Sequence, residues 1–301
     1  MTDPETTTIE VNGFSTRIWR KGTGPKIGFL AGFGGLPRWI PFLDELARTR
    51  TVIVPSLPGF PGGDRGHTVL DSHLDWLLAV REILDQADLA GADLVGSSVG
   101  ASLAAEIAAL WPATVGKLAL IAPFGLFDVN NPPTDPWAQR GDAVPGLMCA
   151  DPEIWKALKA PPVGENSVEW PIEQVRSNEA AARIFWPLGN TRLEKRLRLI
   201  KAPHASAMGR TRQDHAPRLR RDLRQRHHRP NHHPHHPRRR PPGRTRPTHR
   251  SRPRHPGVHA SVLIPTPLVC VMAGLGPAVC HGRPVPSRVM AGLGPTGFTQ
   301  V

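Results

Sequence analysis

The sequence predicts an α/β fold with a doubly wound, mainly parallel sheet and an inserted helical cap. Short apolar runs alternate with segments of helical spacing as far as residue 122, a pattern typical of βαβ units. The first two runs flank Asn12-Gly13, a dipeptide that favours a two-residue hairpin turn. The alternation then stops over residues 127–190, which contain four Trp and several short helical pieces. We therefore expect an opening hairpin, parallel βαβ units and a cap.

Each element follows from the spacing of its apolar residues. Runs rich in β-branched or aromatic residues predict strands, and apolar residues that share one helical face predict helices. The predicted strands are residues 8–11, 14–19, 27–30, 51–54, 93–95 and 118–122. The predicted helices are residues 36–48, 70–84, 99–110, 173–185 and 191–200, the second with Leu74, Leu77, Leu78, Ile83 and Leu84 on one face. Lys201-Ala202-Pro203 is typical of the approach to a further strand, but the residues that follow predict none.

The composition changes abruptly after Pro203. Residues 1–203 contain 20 Lys and Arg, 23 Asp and Glu, all 8 Trp and 8 of the 9 Phe. Residues 204–301 contain 18 Arg, no Lys, 2 Asp, 12 of the 14 His and a single aromatic residue, Phe298. Only the first part can bury an ordinary hydrophobic core. We expect a core at residues 1–126, a cap at 127–190, a return to the core at 191–203 and a disordered tail at 204–301.

The charge and cysteine content restrict the class of protein. The isoelectric point of about 11.0 comes from the tail, so it does not make the slightly acidic body a nucleic-acid binder. Cys149, Cys270 and Cys280 specify neither a disulfide framework nor a thiolate zinc site. Residues 1–10 lack the features of a secretory signal, and no apolar run is long enough to span a membrane. We expect a cytoplasmic protein with no cofactor, no metal and no membrane partner.

A glycine-bounded serine motif carries the strongest chemical signal. Gly96-Ser97-Ser98-Val99-Gly100 lies between a predicted strand and an Ala-rich helix, the context that a G-x-S-x-G nucleophile turn requires. Ser98 is the candidate nucleophile, because only Ser98 has Gly96 and Gly100 two residues away on either side. Gly-rich strand-to-helix turns also occur in α/β proteins without a nucleophile. A second such turn, residues 32–35, favours the catalytic interpretation, because it follows an earlier strand where an oxyanion hole needs a bare N–H.

With both turns in place, residues 8–203 resemble the α/β-hydrolase superfamily. The family's strand, Gly-rich loop, nucleophile elbow and cap appear in order. The resemblance implies that Ser98 is the nucleophile and that the backbone N–H groups of Phe33 and Val99 form the oxyanion hole. Ala31 stands where the family often has His, and Ser56 where it often has Asp. Neither difference removes a reacting atom.

The resemblance also implies acyl transfer to Ser98, followed by attack of water. Epoxide and haloalkane chemistry, which uses Asp in this superfamily, is disfavoured. Carboxylic ester hydrolysis leads, and hydrolytic C–C cleavage of a diketone-like substrate is also compatible. Four tryptophans of the cap favour an apolar or aromatic small-molecule substrate, although filling of the cap's own core explains them equally well: Trp137, Trp155, Trp170 and Trp186.

The other two members of a catalytic triad are missing from the expected places. In the family the acid and the histidine follow strands that would lie beyond Pro203, where this chain is rich in Arg, His and Pro. Asp128, just past the strand at residues 118–122, is a candidate acid within the body. His67 and His73 are the body's histidines, and we expect both on the surface at the start of a helix. The catalytic histidine therefore stays unassigned.

An out-of-frame translation of the gene explains the tail. If one nucleotide is skipped after Pro203, the codons for residues 204–209 permit Thr-Leu-Leu-Leu-Trp-Gly, which is an apolar strand. The codons for residues 210–228 then permit an acid turn and a helix, and those for 231–243 permit a last strand followed by Gly-His. On this hypothesis the chain is inactive as it stands. It is also poorly soluble, because the strand at residues 118–122 is left as a bare apolar edge.

A second hypothesis is a non-catalytic binding protein with a hydrolase fold. Its basic, His-rich tail would bind metal through paired histidines or nucleic acid through arginines. The tail's lack of aromatic stacking platforms makes nucleic acid the less favoured ligand. The paired histidines are His227-His228, His232-His233 and His235-His236.

Overall fold

The computed structural model describes residues 3–125, 134–149, 151–162, 164, 168–185 and 191–207. Several features of the sequence lie outside the described residues: Asp128, Trp186, the paired histidines of the tail, Cys270, Cys280 and Phe298.

In the described part of the chain, seven strands form one sheet in the order β1-β2-β4-β3-β5-β6-β7. The first two strands and β4 pair in antiparallel fashion, and the pairs from β4 through β7 are parallel. This arrangement confirms the predicted mainly parallel α/β class. The strands are β1 (Glu5–Val11), β2 (Phe14–Lys21), β3 (Lys26–Leu30), β4 (Thr51–Pro55), β5 (Asp93–Ser97), β6 (Leu118–Ile121) and β7 (His204–Ala207).

The opening hairpin turns where its sequence predicts. Asn12 and Gly13 have φ values of 52° and 78°, the left-handed backbone that a tight two-residue turn requires. Val11 and Phe14 pair directly across this turn. The hairpin then places β2 against β4, which joins it to the parallel part of the sheet.

Seven α-helices of the described ranges connect these strands or belong to the inserted segment, the name used here for residues 127–190. Helix α2 begins with a capping box in which the Ser72 hydroxyl accepts from the Asp75 N–H and the Asp75 carboxylate accepts from the Ser72 N–H. The helices are α1 (Pro41–Ala47), α2 (His73–Gln86), α3 (Val99–Leu110), α4 (Val144–Met148), α5 (Pro152–Leu158), α6 (Glu169–Phe185) and α7 (Leu193–Arg196). Short 3₁₀ turns lie at Arg65–Val69, Pro112–Thr114 and Leu197–Leu199.

Most of the predicted helices differ from the observed ones in extent or orientation, and the helix predicted over residues 191–200 is only α7 followed by a 3₁₀ turn. The predicted helix over residues 36–48 begins only at Pro41, whose ring suits the first turn of a helix. In α2, Leu77 is buried as expected, but Leu74 and Leu78 are half exposed. The buried face runs instead through Trp76 and Val80, because Trp76 offers a larger apolar surface to the core.

The sheet contains a strand that the sequence pattern does not predict. After Pro203, residues His204–Ala207 form β7 and pair in parallel with β6, with Leu118 opposite His204. Pairing along a strand edge is made by backbone groups, so a short segment of small residues can complete it next to an apolar neighbour. The expectations that no strand follows Pro203 and that β6 is a bare edge are therefore wrong for these four residues. The rest of the tail lies outside the described residues.

Helices cover both faces of the sheet. On one face α2 and α3 pack over Leu30, Ile53 and Leu94, and on the other α1 packs over Phe29 and Val52. Strands buried on both faces read as nearly continuous apolar runs, which explains the pattern of the sequence. Within the described ranges, no helix combines the length and the apolar composition that crossing a membrane requires.

Candidate active site

Ser98 occupies the tight turn between β5 and α3. Its backbone has φ 49° and ψ −113°, an unfavourable conformation for a residue with a side chain. Hydrogen bonds hold it there, since the Ser98 N–H donates to Ile121 O at 2.9 Å and its carbonyl accepts from Ala101 and Ser102. The turn therefore projects the Ser98 side chain at the carboxyl edge of the parallel strands, where ligands bind in open α/β sheets.

The two glycines that flank Ser98 are required by close backbone packing. A Cβ at Gly96 would lie 2.5 Å from Ala101 Cα, and a Cβ at Gly100 would lie 2.3 Å from Leu30 O. Both separations are too short for any side chain. The chain thus folds the helix start directly onto β3 and β5, which is the geometric reason for the glycine spacing.

The second Gly-rich turn lies beside this serine. The Gly35 N–H donates to Gly32 O at 2.9 Å and closes the turn, and a Cβ at Gly32 would lie 3.1 Å from Ser98 Cβ. We call residues 32–35 the oxyanion loop. Ser97 also lies near Gly32, but its side chain is buried in β5, whereas Ser98 is partly exposed.

Two backbone donors flank Ser98. Val99 is the first residue of α3, so its N–H has no acceptor within the helix. Phe33 lies inside the oxyanion loop, and in the described ranges neither N–H donates to a backbone carbonyl. The positive end of the α3 dipole lies at the same point. These groups can stabilise negative charge that develops on a carbonyl oxygen bound at Ser98.

A cavity of about 310 Å³ opens above Ser98. Its apolar walls come from the core and from the inserted segment, and it also contains Ser97, Gly32 and Lys159. A second cavity of about 440 Å³ adjoins it, and Phe33, Trp155 and Lys159 line both. Most of the apolar wall of the first cavity consists of Phe29, Leu36, Phe124, Leu147, Met148, Trp155 and Leu158.

The described tryptophans of the inserted segment lie around Phe33 and the second cavity. Trp137 and Trp155 contact the Phe33 ring with centroid distances of 5.6 and 6.4 Å. Trp170 is buried and lines the second cavity. Two of the three therefore contact a residue of the oxyanion loop, and one of these two, Trp155, also lines both cavities.

The two histidines of the body are occupied elsewhere. His67 is 1% exposed, and its Nε2 lies 3.5 Å from Glu179 Oε2, so the expected surface position is wrong. Burial lowers the pKa of His67, against a raising contribution from Glu179. His73 Nε2 lies 3.4 Å from Glu106 Oε1. No described histidine lines the cavity at Ser98, and no described side chain hydrogen bonds to the Ser98 hydroxyl.

Two charged residues have environments that the local sequence does not predict. Glu106 is 1% exposed in α3, where Arg196 binds both of its carboxylate oxygens. Burial alone would raise the pKa of Glu106, but the hydrogen bonds from Arg196 and His73 outweigh it and lower the pKa. Its position as the single charge of an Ala-rich helix is the signal that could have revealed it.

Lys159 is the second of these residues. It follows α5, and its Nζ donates to Phe33 O at 2.7 Å and to Gly35 O at 2.5 Å. Burial lowers the pKa of this ammonium group to about 7. Nothing in the local sequence distinguishes it from Lys156, an exposed lysine of the same helix. Only the docking of the inserted segment onto the oxyanion loop reveals its environment.

Comparison with known sequences places this arrangement in a family. Residues 28–148 match the family model described as alpha/beta hydrolase fold. A stretch of 125 residues is 34% identical to the dihydrolipoyllysine-residue acetyltransferase component of the acetoin cleaving system of Cupriavidus necator, covering 40% of this chain and 33% of that protein. A stretch of 122 residues is 31% identical to the 2-hydroxy-6-oxo-2,4-heptadienoate hydrolase of Pseudomonas putida, covering 39% and 44%. The matches span less than half the length of these curated relatives.

Solved structures show the same fold. A meta-cleavage product hydrolase of Pseudomonas fluorescens superimposes with a TM-score of 0.54 at 16% identity, over 73% of this chain and 85% of that one. A bacterial membrane phospholipase A superimposes with a TM-score of 0.53 at 20% identity, over 74% and 75%. At these identities the likeness concerns the fold alone. Together with the matched family model, the parallel sheet and its strand-to-helix serine turn show that the chain has the α/β-hydrolase fold.

Proposed function

We propose that this fold is that of a serine hydrolase whose nucleophile is Ser98. The observation that carries the proposal is the strained Ser98 turn, held between two glycines that close packing requires, at the floor of an apolar cavity. The Ser98 hydroxyl attacks a carbonyl carbon, and the N–H groups of Phe33 and Val99 stabilise the oxyanion. The leaving group departs, and water then releases the acyl group from Ser98.

A carboxylic ester or a diketone-like C–C bond is the proposed target. The apolar cavity walls support a small substrate with an apolar or aromatic group. The P. putida relative, named as a heptadienoate hydrolase, supports the C–C alternative. We propose that the protein acts in the cytoplasm.

We further propose that the chain as written has lost most of this activity. Ser98 needs a base to accept its proton and an acid to orient that base. The two histidines of residues 1–203, His67 and His73, lie against Glu179 and Glu106 instead. Loss of triad members lowers turnover on the order of 10⁶-fold in a comparable system. That factor corresponds to roughly 8 kcal/mol of transition-state stabilisation. The frameshift after Pro203 is the proposed cause.

Covalent labelling of the full chain tests the nucleophile directly. A fluorophosphonate probe forms a stable bond with an activated serine, and peptide mass spectrometry locates the labelled residue. We expect slow labelling at Ser98, none in Ser98→Ala, and undiminished labelling in the matched control Ser97→Ala. Labelling that persists in Ser98→Ala and disappears in Ser97→Ala would assign the nucleophile to the neighbouring serine. Equal labelling of all three chains would exclude both serines.

A further inference from the structure

The C-terminal end of α5 is tied to the oxyanion loop by a single lysine. Lys159 Nζ donates to the carbonyls of Phe33 and Gly35, so one ammonium group bridges the two halves of the loop. Hydrogen bonds from a charged donor are stronger than those between neutral groups. The bridge therefore restrains the Phe33–Gly34 and Gly35–Leu36 peptide groups. The first of these adjoins the Gly32–Phe33 peptide group, which carries the Phe33 N–H.

A second cation also connects the oxyanion loop region with the end of α5, but here the cation comes from the core and the acceptors from the inserted segment. Arg38, three residues beyond the loop, donates to the carbonyls of Ala157 and Ala160 at the end of α5. Carbonyls at the end of a helix lack partners within the helix, so they accept such donors readily. The Gln174 side chain of α6 donates to the Lys159 carbonyl at 2.9 Å. The hydrogen bond from Gln174 thus holds the backbone of Lys159 in place, while its side chain extends to the loop.

The Phe33 side chain is held from the same direction. Its ring contacts Trp137 and Trp155, and Lys159 Nζ lies 4.9 Å from the centroid of the Trp155 ring. The inserted segment therefore contacts both the ring and the carbonyl of Phe33, the residue whose N–H we propose as an oxyanion donor. This loop needs an external anchor, because Gly34 and Gly35 have φ values of 68° and 65° and glycine backbones have several accessible conformations.

The environment of Lys159 is costly for an ordinary structural lysine. Burial lowers its pKa to about 7, and in the described part of the chain no carboxylate contributes a compensating shift. Lys159 is only partly exposed and its ammonium group binds two backbone carbonyls, whereas Lys156, one turn earlier in α5, is exposed to water. Strongly perturbed groups of this kind are concentrated at functional sites.

We propose that Lys159 is a positioning residue. By holding the Phe33 carbonyl it restrains the adjoining Gly32–Phe33 peptide group, so that the Phe33 N–H faces the oxyanion formed at Ser98. The inference rests on the proposed role of Phe33 in the serine hydrolase. It makes the oxyanion hole conditional on the inserted segment, because the anchor of the hole belongs to that segment. Substrate that pushes this segment aside would loosen the hole, and substrate that fits beneath it would keep the hole in place.

Hydrogen–deuterium exchange of the full chain tests the anchor without requiring turnover. In Lys159→Met, which keeps the length and removes the donors, amide exchange of peptides covering residues 32–36 is expected to rise about tenfold, the effect of losing charged hydrogen bonds. The matched control Lys156→Met removes an exposed lysine of the same helix and is expected to leave these peptides unchanged. Unchanged exchange of residues 32–36 in a folded Lys159→Met chain would overturn the proposal. If Lys159→Met does not fold, Lys159→Leu, which also lacks N–H donors, replaces it under the same criterion.

Acylation kinetics then separate this inference from the proposed function. With p-nitrophenyl acetate, Ser98→Ala defines the rate that does not pass through Ser98. Lys159→Met is expected to lower kcat about tenfold with KM within twofold, because an interaction made only in the transition state is lost. A wild-type rate equal to that of Ser98→Ala is what the proposed loss of the catalytic base predicts; the labelling experiment then decides the nucleophile, and the exchange experiment decides the anchor. Faster exchange with an unchanged Ser98-dependent kcat overturns the positioning role.

Discussion

Arg196 donates hydrogen bonds to Glu106 from two nitrogen atoms, each 2.5 Å from a different carboxylate oxygen. The two residues are 90 positions apart, and their contact joins α7 to α3, the helix that begins at the serine turn. Glu106 is almost completely buried, whereas Arg196 is a quarter exposed. The ion pair therefore holds α7, which leads into β7, against α3, the helix that follows Ser98.

Removal of Arg196 is expected to destabilise the fold. Arg196→Met leaves Glu106 buried without its strongest partner, which costs about 3 kcal/mol for a buried pair. Urea denaturation followed by circular dichroism measures the change, and Arg198→Met, an exposed arginine two residues away, is the matched control. Equal losses in both variants would show that the Glu106 contact contributes nothing specific.

At the glycines of the serine turn, the steric cost of a side chain can be compared with the gain in helix propensity. Gly100→Ala introduces a favourable helix residue into α3, yet its Cβ would lie 2.3 Å from Leu30 O, so we expect a loss of about 3 kcal/mol. Gly141→Ala is the control, since a Cβ there meets no atom within 4 Å. Thermal unfolding of the two variants should show a large decrease only for Gly100→Ala. A stable Gly100→Ala chain would contradict the close approach of β3 and α3.

The pH dependence of stability should report Lys159. Its pKa is about 7 in the folded chain and about 10.4 in an unfolded one. Between these values the unfolded state binds the extra proton, so the free energy of unfolding rises with pH, by at most roughly 4 to 5 kcal/mol over the window. Below pH 7 both states are protonated and this group adds no further dependence.

Urea titrations at pH 7, 8 and 9 measure this rise. Lys159→Met should lack the part of the rise that the wild type shows, and Lys156→Met should keep it. Parallel curves for all three chains would mean that Lys159 retains an ordinary pKa in the folded state.

Repair of the reading frame should restore catalysis. Resequencing the codons for residues 201–209 from independent DNA is expected to show one missing or extra nucleotide. The repaired chain would regain the acid and the histidine, so its Ser98-dependent ester hydrolysis should increase on the order of 10⁶-fold. An unchanged frame in the independent DNA, or a repaired chain no faster than the present one, would refute the frameshift hypothesis.

Local signals made the sheet and the serine turn predictable. The helix predicted over residues 99–110 is α3 as found, because a glycine spacing and an Ala-rich run define its start and its length. His67 was wrongly expected at the surface, since its burial depends on Gly59 and on Glu179 of α6, far away in the chain. Lys159 and Glu106 were missed for the same reason. Their environments arise only when α5 and α7 dock onto the core.

The strained backbone of Ser98 also sets a limit on stability. A left-handed residue with a side chain costs roughly 1 to 2 kcal/mol relative to glycine, so Ser98→Gly would make the chain more stable while removing its hydroxyl. The position with the reactive group is therefore one at which the fold alone would favour another residue. At this single position stability favours glycine and nucleophilic chemistry requires a hydroxyl, and the residue present is the serine that chemistry requires.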